Sequence, residues 1–567
     1  MGLSEMKFMK LPVLLSIALA HDVYANEAYD INASESQHIL FLAHTGKLEA
    51  CIDNYQGRVA QTLKHDMDFL EDLGVTILQQ GVAHKDPEAV MLALFGAGIS
   101  LNEKVQPLLS QALASSNPRM QLIALNFLTR WQDDYTDTYL TLALRSNYLL
   151  IRLQAAAKMA EWQHRQAVMQ LESLMCKLDT ELHAVLPQLF SIIHDTAASK
   201  ALRKLLNSSA MDVRVEAIRC VAKAKRDDLL SKIRSMATHT KLAELEACCT
   251  ALGMFQDEAS FPQLQAYAAS SDPYVRLAAA MSLYSLGRKE YVSVIIEMAK
   301  SGDLYAITAL GMVEGGQDVL AELQNACDMQ IRLNATLGLL EKRDPRCLRC
   351  LKDFLIKDHR DLGFLPQSSP GKSFHCLKAV PSATQNFNDS PTDHELSLSL
   401  REDILMQTID LPEREFLSVV EMILSCRQND LLPTAMRLLE QKHSPEAITL
   451  LKKYQQCAGA PLLRNYCNLT LMRLDEEGPY KATLKEWVKS RFKESFIMRP
   501  ENVKDLEPLA SKHLMTPEES SRLLLETFQF FAEKHDTEGI NILLDAIKSG
   551  HPNNRYALAG LLIRAAL

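Results

Sequence analysis

The phrase Asp272-Pro273-Tyr274-Val275-Arg276-Leu277-Ala278-Ala279-Ala280 returns in altered form through the middle of the chain, about every thirty-one residues. Its echoes are Asp212-Val213-Arg214-Val215-Glu216-Ala217, Leu150-Ile151-Arg152-Leu153-Gln154-Ala155, Met120-Gln121-Leu122-Ile123-Ala124 and Ala89-Val90-Met91-Leu92-Ala93. A unit of this length is too small to bury its own apolar face, so a fixed period implies copies stacked on one another.

Each unit has the grammar of a helical hairpin. Asp or Asn opens it and accepts from the free amides of the first turn, and Pro often follows, where its missing N–H is no loss. In the unit 272–302 a first helix ends near Leu286-Gly287, and Tyr291 to Met298 begins a second. Small residues recur three positions after the Arg slot, at Ala93, Ala124, Ala155, Ala217, Ala247, Ala279 and Ala335, and let neighbouring helices approach closely. The expected fold is all-α, a right-handed solenoid of stacked helical hairpins with no sheet, its second helices lining a concave wall.

The first-helix pattern D-P-x-V-R-x-A-A-x-x-L-G, matched by Asp272 to Gly287, resembles the HEAT repeat, in the short HEAT-like variety of the PBS-lyase type. The resemblance runs from about Gly57 to Leu355; units near Leu182 and Leu304 keep the spacing but carry His183 and Tyr305 in the Arg slot. Because the shared residues are packing and capping positions, it implies an architecture and no particular activity. Two enzyme classes use such repeats. Deoxyhypusine hydroxylases bind iron through several His-Glu dyads, whereas this chain has His394-Glu395 alone, outside the clear repeats; nothing marks the bilin pocket of a phycobilin lyase.

A length of 567 residues exceeds what one globular core organises, and four sections are expected. Residues 1–25 read as a signal peptide: Lys7 and Lys10 precede the apolar run Leu11 to Ala20, and Val23-Tyr24-Ala25 predicts cleavage between Ala25 and Asn26. Residues 26–355 form the HEAT-like solenoid. Residues 356–389, with Pro366, Ser368-Ser369-Pro370-Gly371 and Pro381, read as an irregular Pro/Ser-rich linker or exposed loop, about which the two helical sections hinge. Residues 390–567 read as degenerate helical repeats, restarting at Ser390-Pro391. The destination is the periplasm or beyond; if the first segment is not a signal, it is the cytoplasm.

The formal net charge of −9 argues against a general nucleic-acid binder, whose affinity comes from Lys and Arg facing phosphates. Most of the twelve cysteines fall where the repeat wants a small apolar residue. The exceptions, Cys347, Cys350 and Cys376, with His359 and His375, form a candidate metal set, or a disulfide from the first pair to Cys376. Gly371-Lys372-Ser373 is not a phosphate loop, because Pro366 stands where the first glycine belongs. The sequence points to a non-catalytic scaffold for a protein or peptide, without a cofactor; the alternative is an enzyme or metal protein built on residues 347–376.

Overall fold

A computed structural model describes residues 35–131, 136–238, 241–356, 362–381, 391–457, 459–495 and 515–566. The Ala25–Asn26 cleavage site, His359 and Ser390 lie outside the described residues. The fold is an all-α solenoid of helical hairpins. No helix among the described residues is long and apolar enough to cross a membrane.

The repeat grammar appears in the helices as expected. Asp272 caps Pro273–Ser285 by accepting the Val275 N–H at 2.9 Å, and Asp86, Asn117, Asp303 and Asp328 cap their helices in the same way. Asp212 departs from it: the helix is Met211–Lys223, and Asp212 lies inside its first turn without capping it. The motif arginine reaches backwards. Arg214 Nη1 donates to the Ser208 and Ser209 carbonyls at 2.5 and 2.9 Å, and Arg332 Nη1 to those of Ala326 and Cys327 at 2.8 and 2.9 Å, tying each helix to the turn before it.

All seven small-slot alanines are buried. First helices of neighbouring units meet there so closely that a Cβ on Gly311 would stand 2.9 Å from the Gly338 Cα. Leucine in place of Ala279 is therefore expected to lower stability by about 1–3 kcal/mol, read as a shift of the urea midpoint.

First helices such as Leu242–Met254 and Pro273–Ser285 pack extensively on each other. The polypeptide that the stack holds, described below, lies on the first helices Leu304–Met312, Met329–Glu341 and Pro391–Gln407, where the sequence reading put the second helices.

The stack closes on itself. The last helix, Asn554–Arg564, packs on Met67–Val82 and Pro87–Ser100, while Thr537–Ser549 meets Leu48–Thr62. Glycines permit the join: a Cβ on Gly74 would lie 2.5 Å from Ile563 Cγ1 and 2.9 Å from the Ala559 carbonyl, and Gly96 and Gly560 touch backbone to backbone. Polar contacts flank this apolar seam. Gln56 Nε2 donates to Asp545 at 3.0 Å, Lys548 pairs with Asp53 at 2.8 Å, and His65 Nε2 donates to the Thr537 carbonyl at 3.0 Å.

Burial holds the His65 pKa below its ordinary value, against the smaller opposing pull of the Thr537 carbonyl. The folded protein therefore keeps a neutral ring at a pH where the unfolded chain takes a proton. The contribution is complete above about pH 6.5, the unfolded value, and is lost as pH falls below it. Melting curves between pH 7.5 and 5.5 should show a smaller acid-induced loss in His65→Gln than in the parent.

Residues 356–389 correct the sequence reading most. Over 362–381 they are no irregular linker but an antiparallel hairpin, β1 (Leu362–Ser368) and β2 (His375–Pro381), with Pro366 opposite Leu377. It is a two-stranded sheet in a fold expected to have none. The helical sections do not separate around it, because Leu348–Leu355 packs directly on Pro391–Gln407 and Glu413–Ser425.

Candidate functional site

The hairpin lies along the first-helix layer and is held there mostly through its backbone. Asn334, in the first helix Met329–Glu341, grips Leu377 at both polar atoms. Its Nδ2 donates to the Leu377 carbonyl at 2.8 Å and its Oδ1 accepts the Leu377 N–H at 2.9 Å. The Tyr305 hydroxyl, one unit earlier, donates to the Ser368 carbonyl at 3.0 Å.

The tip reaches Glu246 in the helix Leu242–Met254. Gly371 N–H donates to Oε2 at 2.7 Å and Ser373 N–H to Oε1 at 3.3 Å, while the Ser369 hydroxyl donates to the same Oε1. Ser369 Oγ in turn accepts the Ser373 and Phe374 amides, both at 3.1 Å, which fixes the turn. Lys372 completes the turn in the left-handed region at φ 53 and stands 4.0 Å from Glu216.

Beneath the tip Glu246 is 0% exposed, so the hairpin seals a carboxylate against the wall. Burial pushes its pKa up, and the three donors pull the other way. Taking a carboxylate out of water without donors is expensive, so these bonds make the arrangement tenable. Glu246 interrupts the repeat: one period either side, the same slot holds the buried apolar residues Val215 and Leu277. That mismatch was a signal available in the sequence, as was Tyr305 in the Arg slot; the role of Asn334 had none.

The three cysteines of the candidate metal set are spent on packing. Cys347 is fully buried just before the helix Leu348–Leu355, Cys350 sits in a small apolar cluster with Leu333 and Phe354, and Cys376 is buried in β2. Burial pushes the Cys347 thiol up to about 12 and raises those of Cys350 and Cys376 as well, whereas a metal ligand must be a thiolate. His375 follows the opposite face of the strand from Cys376, is exposed, and shares a hydrogen bond at Nδ1 with Ser368 Oγ at 3.0 Å. Among the described residues no three His, Cys, Asp or Glu side chains gather as a metal needs, and all twelve cysteines are free, so the expected disulfide to Cys376 is absent. Partial desolvation against the wall, and then the nearby Arg219, hold the His375 pKa below its ordinary value.

Beside β2, a notch of about 280 Å³ opens on the first-helix layer, lined by Met312, Leu337, Leu377, Leu400 and Ile404 and by Glu341 and Asp403. Met312 at its edge is 65% exposed.

None of the curated proteins matches this chain significantly. Solved structures resemble it only distantly and at low identity. The crystal structure of Kap121p bound to Nup53p is 10% identical with a TM-score of 0.38, over 91% of this chain and 62% of that chain. Kap121p bound to Ste12p gives 11% and 0.37 over the same shares, so the chain spans 62% of Kap121p in both. The crystal structure of Uso1-2 is 11% identical with a TM-score of 0.16, over 95% of this chain and 99% of that one. A family model for HEAT repeats matches residues 199–284 and 243–312, a region that includes the Asp272 phrase and the Glu246 helix. The middle of this solenoid is built of HEAT repeats.

Proposed function

We propose that this protein is an exported, non-catalytic scaffold that holds a protein or peptide partner against the first-helix wall inside its ring. The observation that carries the reading is that this wall already holds polypeptide, gripping β1 and β2 through side chains that bond to backbone. The open apolar notch around Met312 extends the same surface. The residues of the rival enzyme or metal reading, Cys347, Cys350 and Cys376, are buried in packing. Export rests on the basic and apolar pattern before Ala25 and places the scaffold in the periplasm or beyond; amino-terminal sequencing should find Asn26 first.

A photo-reactive residue separates inner wall from outer. Placed at Met312 on a first helix, it should give a discrete cross-linked polypeptide in extract of the native compartment. Placed at Met169, which is equally open on the second helix Ala167–Met175, it should give none. Cross-linking from Met169 alone, or from neither position, contradicts the reading.

A further inference from the structure

The bonds between hairpin and wall fall into two kinds. Asn334 reads the N–H and carbonyl of Leu377, Tyr305 reads the Ser368 carbonyl, and Glu246 reads the amides of Gly371 and Ser373. All five groups are main chain, present in almost any extended segment. Side-chain identity enters mainly at the turn. Ser369 supplies a hydroxyl to Glu246, and Gly371 must lack a Cβ, which would stand 2.5 Å from the Ala243 carbonyl.

A two-stranded hairpin is marginal by itself in water, so the wall, not the sheet, holds this one in shape. The groove is therefore complementary to a backbone conformation rather than to one sequence. Glu246 supports this from the helix side, since the slot is filled by packing residues in the units on either side and here by an acceptor for chain from outside the stack.

We propose that the Glu246–Tyr305–Asn334 groove is a binding site for an extended segment of a partner polypeptide whose turn carries Ser and Gly as in Ser369-Pro370-Gly371, and that β1–β2 is its tethered, displaceable occupant. This names the partner chemistry for the wall discussed above and rests on that reading. A partner segment wins the site by making the same five main-chain bonds and adding contacts in the Met312 notch, which the hairpin borders only with Leu377.

The test supplies the occupant in trans. Residues 362–381 are replaced by a Gly-Ser linker of equal length, and the probe is a fluorescent synthetic peptide of residues 362–381, followed by anisotropy. Saturable one-to-one binding to the replaced protein is expected, at least tenfold weaker when Glu246→Gln or Asn334→Ala is added, with little binding to the intact chain. A peptide with Leu377→Pro, which lacks the N–H that Asn334 accepts, should bind at least tenfold more weakly, whereas changing Lys378 to Glu should matter little. Should the replaced protein fail to fold, full-length Gly371→Val, with its own hairpin lifted, takes its place. No binding to either folded protein, or binding indifferent to Glu246 and Asn334, overturns the proposal. The assay needs no partner from the host, so its failure leaves the Met312 cross-linking result standing on its own.

Discussion

Gly96→Leu opens the ring. A Cβ at this position overlaps the Tyr556 carbonyl and comes within 2.8 Å of Leu78 Cδ2, and on the other side of the seam Gly560 already rests on the Gly96 carbonyl. Overpacking in a core typically costs about 1–3 kcal/mol when side chains can shift. Here the obstacle is main chain in the first turn of the helix Asn554–Arg564, which has no rotamer to change, so the cheaper response is separation of the two helices. The flanking bonds, Gln56 to Asp545 and Lys548 to Asp53, are partly exposed and add little resistance. Because a solenoid unit depends on its neighbours alone, the repeats at 199–312 should keep their helicity. The expected result is a larger radius of gyration by solution scattering and early proteolysis within 537–564, with far-UV circular dichroism nearly unchanged. An unchanged radius would mean that the seam tolerates the side chain.

Gly371→Val lifts the hairpin tip. Its Cβ would stand 2.5 Å from the Ala243 carbonyl and 2.8 Å from Glu246 Cδ, so the turn loses the Gly371, Ser369 and Ser373 bonds together. Keeping the tip docked would leave donors and a carboxylate buried without partners, at about 1–3 kcal/mol for each neutral group and more for the charge. Undocking returns them to water. Limited proteolysis should then cut between Ser369 and Phe374 in the variant while the parent resists at that place. This reverses what the composition of the segment suggests, which is an exposed loop cut first.

What the sequence reveals and what it hides follow from the range of the interactions. Capping by Asp272 and burial of Ala279 are set within one unit and repeated in the next, so period and composition disclose them. Ring closure brings together pairs such as His65 with Thr537 and Asp53 with Lys548, between chain ends with no shared periodicity. Gly96 and Gly560 stand in helical runs where glycine is only a weakness until the partner helix is known.

The hairpin was hidden for a different reason. Pro366 in mid-segment speaks against a strand, because proline cannot donate to a ladder. Both polar backbone atoms of Leu377 are turned outward to Asn334, so at the Pro366–Leu377 pair the strands exchange no hydrogen bonds and nothing is lost. The site was half visible. Glu246 broke an apolar slot in plain view, but its donors lay more than a hundred positions along the chain. Conversely, Cys347, Cys350 and Cys376 drew attention by their chemistry and turned out to be small apolar packing residues.

Closure of the ring is the claim on which the inner wall depends, and a zero-length cross-link tests it most directly. Lys548 Nζ lies 2.8 Å from Asp53 Oδ1, and Lys534 Nζ lies 3.0 Å from Asp475 Oδ1 within the carboxy-terminal part of the stack. Carbodiimide treatment of the monomeric gel-filtration fraction, followed by peptide mass spectrometry, should join both pairs within one chain. Recovery of the Lys534–Asp475 link without the Lys548–Asp53 link would show an open solenoid and contradict the account.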